Sequence, residues 1–177
     1  MKKIRFLVAC SLFCLLASTS QAFALNIYGF GSYWEMDELD GTMGAGVGVN
    51  FPFILERLLI DGRAHYFEDS EITHAGSGDT VKVIPFDLGL QFHILPDAPF
   101  DPYVMAGISY NYVETEHVDL DSTFGGYLGG GVDISMGVPL FKIFGEFLYR
   151  YADIDNVSDG NYDTSGFTGN IGLKFHF

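Results

Sequence analysis

The sequence contains eight segments in which apolar residues alternate with polar or small ones. A period of two belongs to a β-strand whose faces meet different surroundings, because successive side chains point to opposite sides. The segments have 10 to 14 residues. A strand that crosses a bilayer needs about 9–11 residues, whereas strands of globular proteins average about 5–6. Segment length therefore favours membrane-spanning strands over residues 27–36, 42–53, 58–67, 81–94, 103–114, 122–135, 140–152 and 166–177.

Residues 1–24 have the layout of a secretory signal peptide. Three basic residues precede an apolar run from Phe6 to Ala17, and Ala22-Phe23-Ala24 provides a small-residue cleavage site. We therefore predict a cleaved signal peptide over 1–24 and one domain over 25–177. Both cysteines, Cys10 and Cys14, lie in the predicted leader, so the exported chain would hold no disulfide or cysteine-bound metal. We expect no cofactor.

The exported chain is strongly acidic. The whole chain has a formal net charge of −14; without Lys2, Lys3 and Arg5 it keeps 6 basic and 23 acidic residues, a net charge of −17. Such a charge argues against nucleic acid as a partner. The chain is predicted to be exported, is rich in aromatic residues and glycines, and consists of segments that alternate between apolar and polar residues. Two architectures have these properties, a soluble β-sandwich and a membrane β-barrel.

The aromatic residues separate these two architectures. If the strands run alternately up and down from a periplasmic N-terminus, aromatics collect at both ends of the strands, as amphipathic rings do at both membrane interfaces. The inner turns are short or rich in proline and the outer loops mostly longer, as in outer-membrane barrels. We therefore predict an all-β, eight-stranded antiparallel up-and-down transmembrane β-barrel in the outer membrane. The predicted outer girdle is Trp34, Tyr66, Tyr110, Tyr112, Phe124, Tyr149 and Tyr151, and the inner one Tyr28, Phe51, Phe53, Phe92, Phe141, Phe175 and Phe177.

The end of the sequence resembles a known class of proteins. The segment NIGLKFHF, with Asn170, Gly172, Phe175 and Phe177, looks like the C-terminal insertion signal of small Gram-negative outer-membrane barrels. DPYVMAGISYNY, STFGGYLGGGVDISM and IFGEFLYRYADI are similar to the C-terminal half of OmpW/OmpX-like proteins, over residues 101–177. The resemblance implies insertion by the barrel-assembly machinery, and outer-membrane lipids and lipopolysaccharide as surroundings. We expect a monomer.

Charged residues fall on the strand faces predicted to line the lumen. Eight strands enclose a space that side chains just fill, and buried charges persist only when they are paired. We therefore predict a cross-strand network that holds the barrel shut. The alternative is a relay or narrow path for protons or small solutes. The predicted lumen residues are Glu35, Asp61, Arg63, His65, Asp87, His93, Asp133, Glu146, Arg150 and Lys174.

The predicted outer loops and their flanks carry 15 acidic residues and no lysine or arginine. One interpretation is a well-solvated surface that prevents aggregation. The other is binding of divalent cations by oxygen ligands, which could bridge to lipopolysaccharide phosphates. The loop sequence DIDNVSDGNYD lacks the full spacing of a calcium-binding loop. The candidate cation ligands are Asp119, Asp121, Asp155, Asp159 and Asp163.

The sequence gives little support to an enzyme. A lipid deacylase needs a serine and a histidine close together with an acidic residue that orients the histidine. The predicted strands contain no such pair, and His74, Ser77 and Asp79 share a predicted loop. We therefore expect a structural or surface-interaction role. The alternatives are a narrow channel for small or hydrophobic solutes and, third, a lipid-modifying enzyme.

Overall fold

The computed structural model describes residues 24–36, 41–72, 79–96, 98–115, 123–138, 140–151, 153–156, 160–163 and 165–177. Within these ranges no helix has the length and apolar character needed to cross a membrane. The strands are β1 (Asn26–Met36), β2 (Thr42–Phe53), β3 (Leu55–Ile72), β4 (Asp79–His93), β5 (Phe100–Thr115), β6 (Thr123–Ser135), β7 (Phe141–Tyr151), β8 (Asp153–Asn156), β9 (Gly160–Asp163) and β10 (Gly166–His176).

Eight of these strands form a closed antiparallel barrel in the order β1-β10-β7-β6-β5-β4-β3-β2. The first and last strands pair along their whole length. Their pairing extends to Leu25 and Phe177, whose backbones exchange hydrogen bonds of 3.2 and 2.9 Å. Closure leaves the barrel without a free edge. The predicted eight-stranded up-and-down barrel is confirmed.

The barrel wall is apolar outside and polar inside. On β4, Phe86 and Leu88 are 51 % and 56 % exposed, whereas Asp87 between them is 4 % exposed. A sandwich would bury the apolar face against a second sheet, while a barrel in lipid presents it to acyl chains. The end that holds residues 25 and 177 is called the inner end below and is the predicted periplasmic side. The opposite end is called the outer end.

Several strands extend further than predicted at the outer end. β3 continues to Ile72 and β4 starts at Asp79, although residues 68–80 were predicted as a loop. The segment 153–165, also predicted as a loop, contains the β8–β9 hairpin. These segments are polar at positions of both parities. Where neither face meets lipid, alternation carries no signal, so hydrophobic periodicity cannot reveal these extensions.

Two aromatic residues of the predicted girdles lie inside the barrel instead. Trp34 is 1 % and Tyr28 is 2 % exposed, so placing them at the membrane interfaces was wrong. The other predicted girdle residues lie on the outward parity of their strands, and Tyr66, Tyr112 and Tyr149 at the outer end are about half exposed, at 40–43 %.

Candidate functional site

The lumen is the candidate functional site, and its centre is an ion cluster built on Arg63 of β3. The Arg63 guanidinium donates Nε–H to Asp61 Oδ1 at 2.9 Å and Nη1–H to Glu146 Oε2 at 2.6 Å. Glu146 also accepts from Tyr103 Oη at 2.7 Å and from Asn170 Nδ2 at 3.1 Å. All these side chains are buried. Asp61, Arg63 and Glu146 are called the central layer.

Asp61 is held from the inner side as well. Gln91 Nε2 donates to Asp61 Oδ2 at 3.0 Å, and Tyr28 donates its hydroxyl to Asp61 Oδ1 at 2.7 Å. Asn50 Nδ2 in turn donates to Gln91 Oε1 at 3.1 Å. Both carboxylates of the central layer therefore have several donors, which is what a buried charge requires.

A second cluster, called the outer layer, consists of Arg150, Asp87 and His65. Arg150 binds Asp87 through two parallel hydrogen bonds, Nη1–Oδ1 at 3.0 Å and Nη2–Oδ2 at 2.6 Å. His65 Nε2 lies 3.1 Å from Asp87 Oδ2 and 2.8 Å from Arg150 Nη2. This nitrogen serves one partner at a time, because it must carry a proton to donate to Asp87 and lack one to accept from Arg150.

A third set of pairs, called the inner layer, lies towards the inner end. Lys174 Nζ donates to both oxygens of Asp133, at 2.8 and 2.9 Å. His93 Nδ1 lies 2.7 Å from Asp101 Oδ2, and the His93 ring stacks on Tyr103 with centroids 4.8 Å apart. The described lumen thus holds three stacked layers of ion pairs.

Aromatic rings fill the space between the layers. The Arg63 guanidinium lies 5.5 Å from the Tyr28 ring centroid, and the Arg150 guanidinium lies 5.7 Å from the centroids of both Trp34 and Tyr127. Cations at this distance from a ring are attracted by its negative face. The Lys174 ammonium lies 5.2 Å from the centroid of Tyr103. The rings therefore both pack the lumen and stabilise its cations.

Glycines on neighbouring strands make room for these rings. A Cβ at Gly46 would lie 2.3 Å from the Phe30 ring, and one at Gly48 would lie 2.4 Å from the Tyr28 ring. No heavy atoms approach that closely without displacement. The inward glycines of β2 thus explain why Tyr28 and Phe30 of β1 point into the lumen.

Glu35 was predicted in the lumen and the structure places it elsewhere. Its side chain is exposed on the outward face of β1, while its neighbour Trp34 is buried inside. A carboxylate was assigned inward because lumen faces are generally polar. On β1, however, bulky inward residues are needed to fill the volume above the β2 glycines. The lumen-facing parity of β1 is therefore the one that holds Trp34, and Glu35 faces outward.

The other nine predicted lumen residues are all buried inside the barrel, and the structure brings them together in the three layers. Asp101 and Tyr103 were missed as members of the network. Both lie on the lumen-facing parity of β5. Extending the predicted strand by two residues towards the inner end would have included Asp101. Tyr28 was missed because its ring was assigned to lipid.

The candidate cation ligands are not assembled into a described site. Asp119, Asp121 and Asp159 lie outside the described residues, as do His74 and Ser77. Asp155 and Asp163 lie on the paired strands β8 and β9. In the part of the chain that the structure covers, no three His, Cys, Asp or Glu residues are grouped so as to hold a metal.

The residues of the C-terminal segment divide between the two faces of β10. Asn170 is buried and its Oδ1 accepts from Ser32 Oγ at 2.6 Å, besides the bond to Glu146 described above. A Cβ at Gly172 would lie 2.3 Å from Gly29 O, so this inward position needs glycine. Phe175 and Phe177 face outward, at 40 % and 67 % exposure.

The comparisons with known proteins agree with this architecture. A family model described as "Outer membrane protein beta-barrel domain" matches residues 6–175. Neisserial surface protein A has 10 % sequence identity and a TM-score of 0.62, over 88 % of this chain and 96 % of that protein. A major outer membrane protein from Thermus thermophilus has 11 % identity and a TM-score of 0.64, over 89 % and 100 %.

The N-terminal β-barrel domain of Pseudomonas aeruginosa OprF has 15 % identity and a TM-score of 0.57, over 87 % of this chain and 97 % of that domain. At such identities the solved structures support the fold alone. No curated protein matches the chain significantly. Because the family match covers nearly the whole sequence, the chain belongs to the outer membrane protein beta-barrel domain family and is a protein of the Gram-negative outer membrane.

Proposed function

We propose that the protein is a structural, non-enzymatic barrel with a sealed lumen, which presents an acidic surface to the cell exterior. The observation that carries the proposal is the Arg63–Glu146 ion pair, at 2.6 Å with both side chains almost fully buried. Arg63 lies on β3 and Glu146 on β7, four positions apart in a ring of eight strands. The pair therefore joins opposite walls of the barrel.

The other layers add buried ion pairs between strands that lie three and two positions apart in the ring. Arg150 on β7 binds Asp87 on β4, and Lys174 on β10 binds Asp133 on β6. A solute that passed through would have to displace these side chains, and leaving a buried charge without its partner costs about 3–5 kcal/mol. Three such layers in the narrow lumen of an eight-stranded barrel favour a plug over a pore.

The narrow-channel alternative rests on a recess of about 290 Å³ at the inner end. Polar side chains line the recess, among them His93, Asp101 and Lys174. These residues belong to the inner layer, so the recess reaches only the innermost of the three ion layers. We interpret it as a solvated mouth and not as the entrance of a continuous path.

Planar-bilayer recording tests the sealed lumen. The purified wild-type barrel is expected to give no steady single-channel conductance, since the described lumen holds three layers of buried ion pairs. Steady openings of the wild-type protein would contradict the proposal and favour the channel for small or hydrophobic solutes. Lipid A from expressing cells tests the third function, because a lipid-modifying enzyme would change its mass.

The partners follow from the surroundings of such a barrel. We propose lipopolysaccharide and other outer-membrane lipids around the apolar wall, and divalent cations that bridge the acidic loops to lipid phosphates. Recognition by the barrel-assembly machinery would use Phe175 and Phe177. Export of a chain with both residues changed to alanine is expected to leave less folded protein in the outer membrane than export of the wild type. We further propose a monomer, because the closed barrel leaves no edge for a second chain.

A further inference from the structure

Six buried polar atoms of the described lumen have no hydrogen-bond partner. All six side chains are at least nine-tenths buried. Buried polar groups in native proteins are nearly always paired with protein or with ordered water, so such atoms call for an explanation. The atoms are Trp34 Nε1, His65 Nδ1, Asn111 Nδ2, Tyr127 Oη, Arg150 Nε and Thr168 Oγ1.

These atoms belong to one region of the barrel. Arg150 and His65 form the outer layer, and the rings of Trp34 and Tyr127 each lie 5.7 Å from the Arg150 guanidinium. Asn111 Oδ1 accepts from Ser109 Oγ, which lies 3.5 Å from Arg150 Nη1.

Thr168 completes the group, because its backbone is the direct register partner of Trp34 on β1. Five of the six unpaired atoms therefore lie at the outer layer or beside it. The Tyr127 hydroxyl lies between the outer and central layers, because a Cβ at Gly89, the register partner of Asp61, would lie 2.3 Å from Tyr127 Oη.

The central and inner layers differ in this respect. Among the described residues, every buried side-chain nitrogen or oxygen of these two layers has a partner. Asp61 and Glu146 each accept from at least two side chains besides Arg63. The polar groups are thus satisfied by protein in the inner half of the lumen and are left open in the outer half.

The donor and acceptor properties of the six unpaired atoms indicate which molecule can pair with them. Trp34 Nε1, Asn111 Nδ2 and Arg150 Nε can only donate, and the other three atoms can donate or accept. The partner must therefore accept hydrogen bonds. An anion is disfavoured, because the lumen buries five carboxylates against three Lys or Arg side chains. Water accepts and donates without adding charge.

We propose that water enters the lumen from the outer end, hydrates the outer layer, and stops at the central layer. The outer half is then a blind-ended vestibule, and the barrier to solutes lies at Asp61, Arg63 and Glu146. This inference rests on the sealed lumen proposed above and locates the seal within it.

Two inward serines allow a matched test. Ser109 lies beside Arg150 in the outer layer, whereas Ser32 bonds to Asn170, the partner of Glu146, in the central layer. Single Ser109→Cys and Ser32→Cys variants are made in a chain whose Cys10 and Cys14 are serine. Cells carrying each barrel are treated with methyl methanethiosulfonate, a small uncharged thiol reagent, and modification is followed by mass.

We expect the thiol in Ser109→Cys to react on the order of ten-fold faster or more, the ratio that about 1.4 kcal/mol produces. Equally slow reaction of both thiols would overturn the vestibule and leave the sealed lumen standing. Equally fast reaction of both would overturn the seal at the central layer and, with it, the proposed sealed lumen.

The single tryptophan of the chain gives a second measurement that needs no substitution. Exchange of the Trp34 indole N–H with deuterium is followed by NMR in micelles, against the paired backbone amides of β1 in the same sample. Water at the outer layer predicts indole exchange that is complete while those amides remain protonated. Indole protection as long as that of the amides would overturn the vestibule.

Discussion

At the scale of single residues, Arg63 is expected to contribute more to the unfolding free energy than any exposed charged residue. It is the only cation within hydrogen-bonding distance of Asp61 and Glu146 in the described lumen. Arg63→Ala would leave two buried carboxylates without their counter-ion, and we expect a loss of about 3–5 kcal/mol in unfolding free energy. Urea unfolding in lipid vesicles measures the loss.

Arg57 provides the matched control for this substitution. It is an arginine of the same strand, β3, but its side chain is exposed at the inner end. Arg57→Ala should change the unfolding free energy by no more than about 0.5 kcal/mol. Equal losses for the two variants would show that the buried pair does not hold the barrel together.

At the scale of elements, the orientation of β1 can be tested directly. Trp34 faces the lumen and Tyr33 is 44 % exposed on the lipid side. Lipids with brominated acyl chains quench tryptophan fluorescence on contact. We therefore expect little quenching in the wild type and strong quenching in Trp34→Phe/Tyr33→Trp, where the single indole moves to the outer face. Strong quenching of the wild type would restore the parity predicted from the sequence.

The glycines of β2 set the shape of the lumen. A Cβ at Gly46 would lie 2.3 Å from the Phe30 ring and 2.8 Å from Ala64 O, whereas one at Gly31 on the outer face meets nothing within 4 Å. Gly46→Ala is therefore expected to lower the unfolding free energy by about 1–3 kcal/mol, the usual cost of overpacking. Gly31→Ala is the control and should unfold like the wild type, so a similar loss in both would exclude steric crowding as the cause.

The sequence predicts the elements well where lipid lies on one side of the wall. On β4 and β7 one parity is almost wholly apolar and the other carries Asp87, Glu146 and Arg150, so strand, face and charged lumen residues all follow from alternation.

On β1 both parities carry aromatics, since Tyr33 and Trp34 are neighbours, and alternation gives no direction. The orientation of β1 depends on the space left by Gly46 and Gly48 of β2. The sequence of β1 alone does not contain this information.

The partners within the lumen are harder to predict than its members. Arg63 and Glu146 are 83 positions apart in sequence and four strands apart around the barrel. Which inward charges meet depends on the stagger between strands, because each strand is shifted along its neighbour as the barrel closes. The alternation along a strand shows which of its residues face the lumen, but it does not determine the stagger between strands. Nine of the ten residues predicted in the lumen are buried there, whereas their pairing could not be predicted without the structure.

At the scale of the whole molecule, charge is divided between two environments. The sequence has 9 basic and 23 acidic residues, and three of the basic side chains, Arg63, Arg150 and Lys174, are buried in the lumen. The acidic outer surface proposed above would therefore have little positive charge to offset it. The mutual repulsion of its acids should oppose folding, and it is open to screening by salt, whereas the buried pairs are screened much less.

The effect of salts on the melting temperature of the barrel distinguishes charge screening from cation binding at the outer end. Sodium only shortens the range of repulsion, to about 10 Å at 0.1 M, whereas calcium can be coordinated by 6–8 oxygen ligands at about 2.3–2.6 Å. If the loop acids bind divalent cations, the melting temperature in detergent should rise more with calcium chloride than with sodium chloride at equal ionic strength. A variant with Asp155, Asp159 and Asp163 changed to asparagine should lose that excess and keep the sodium response. Equal responses of the wild type to the two salts would mean that the outer surface is solvated and screened without binding calcium.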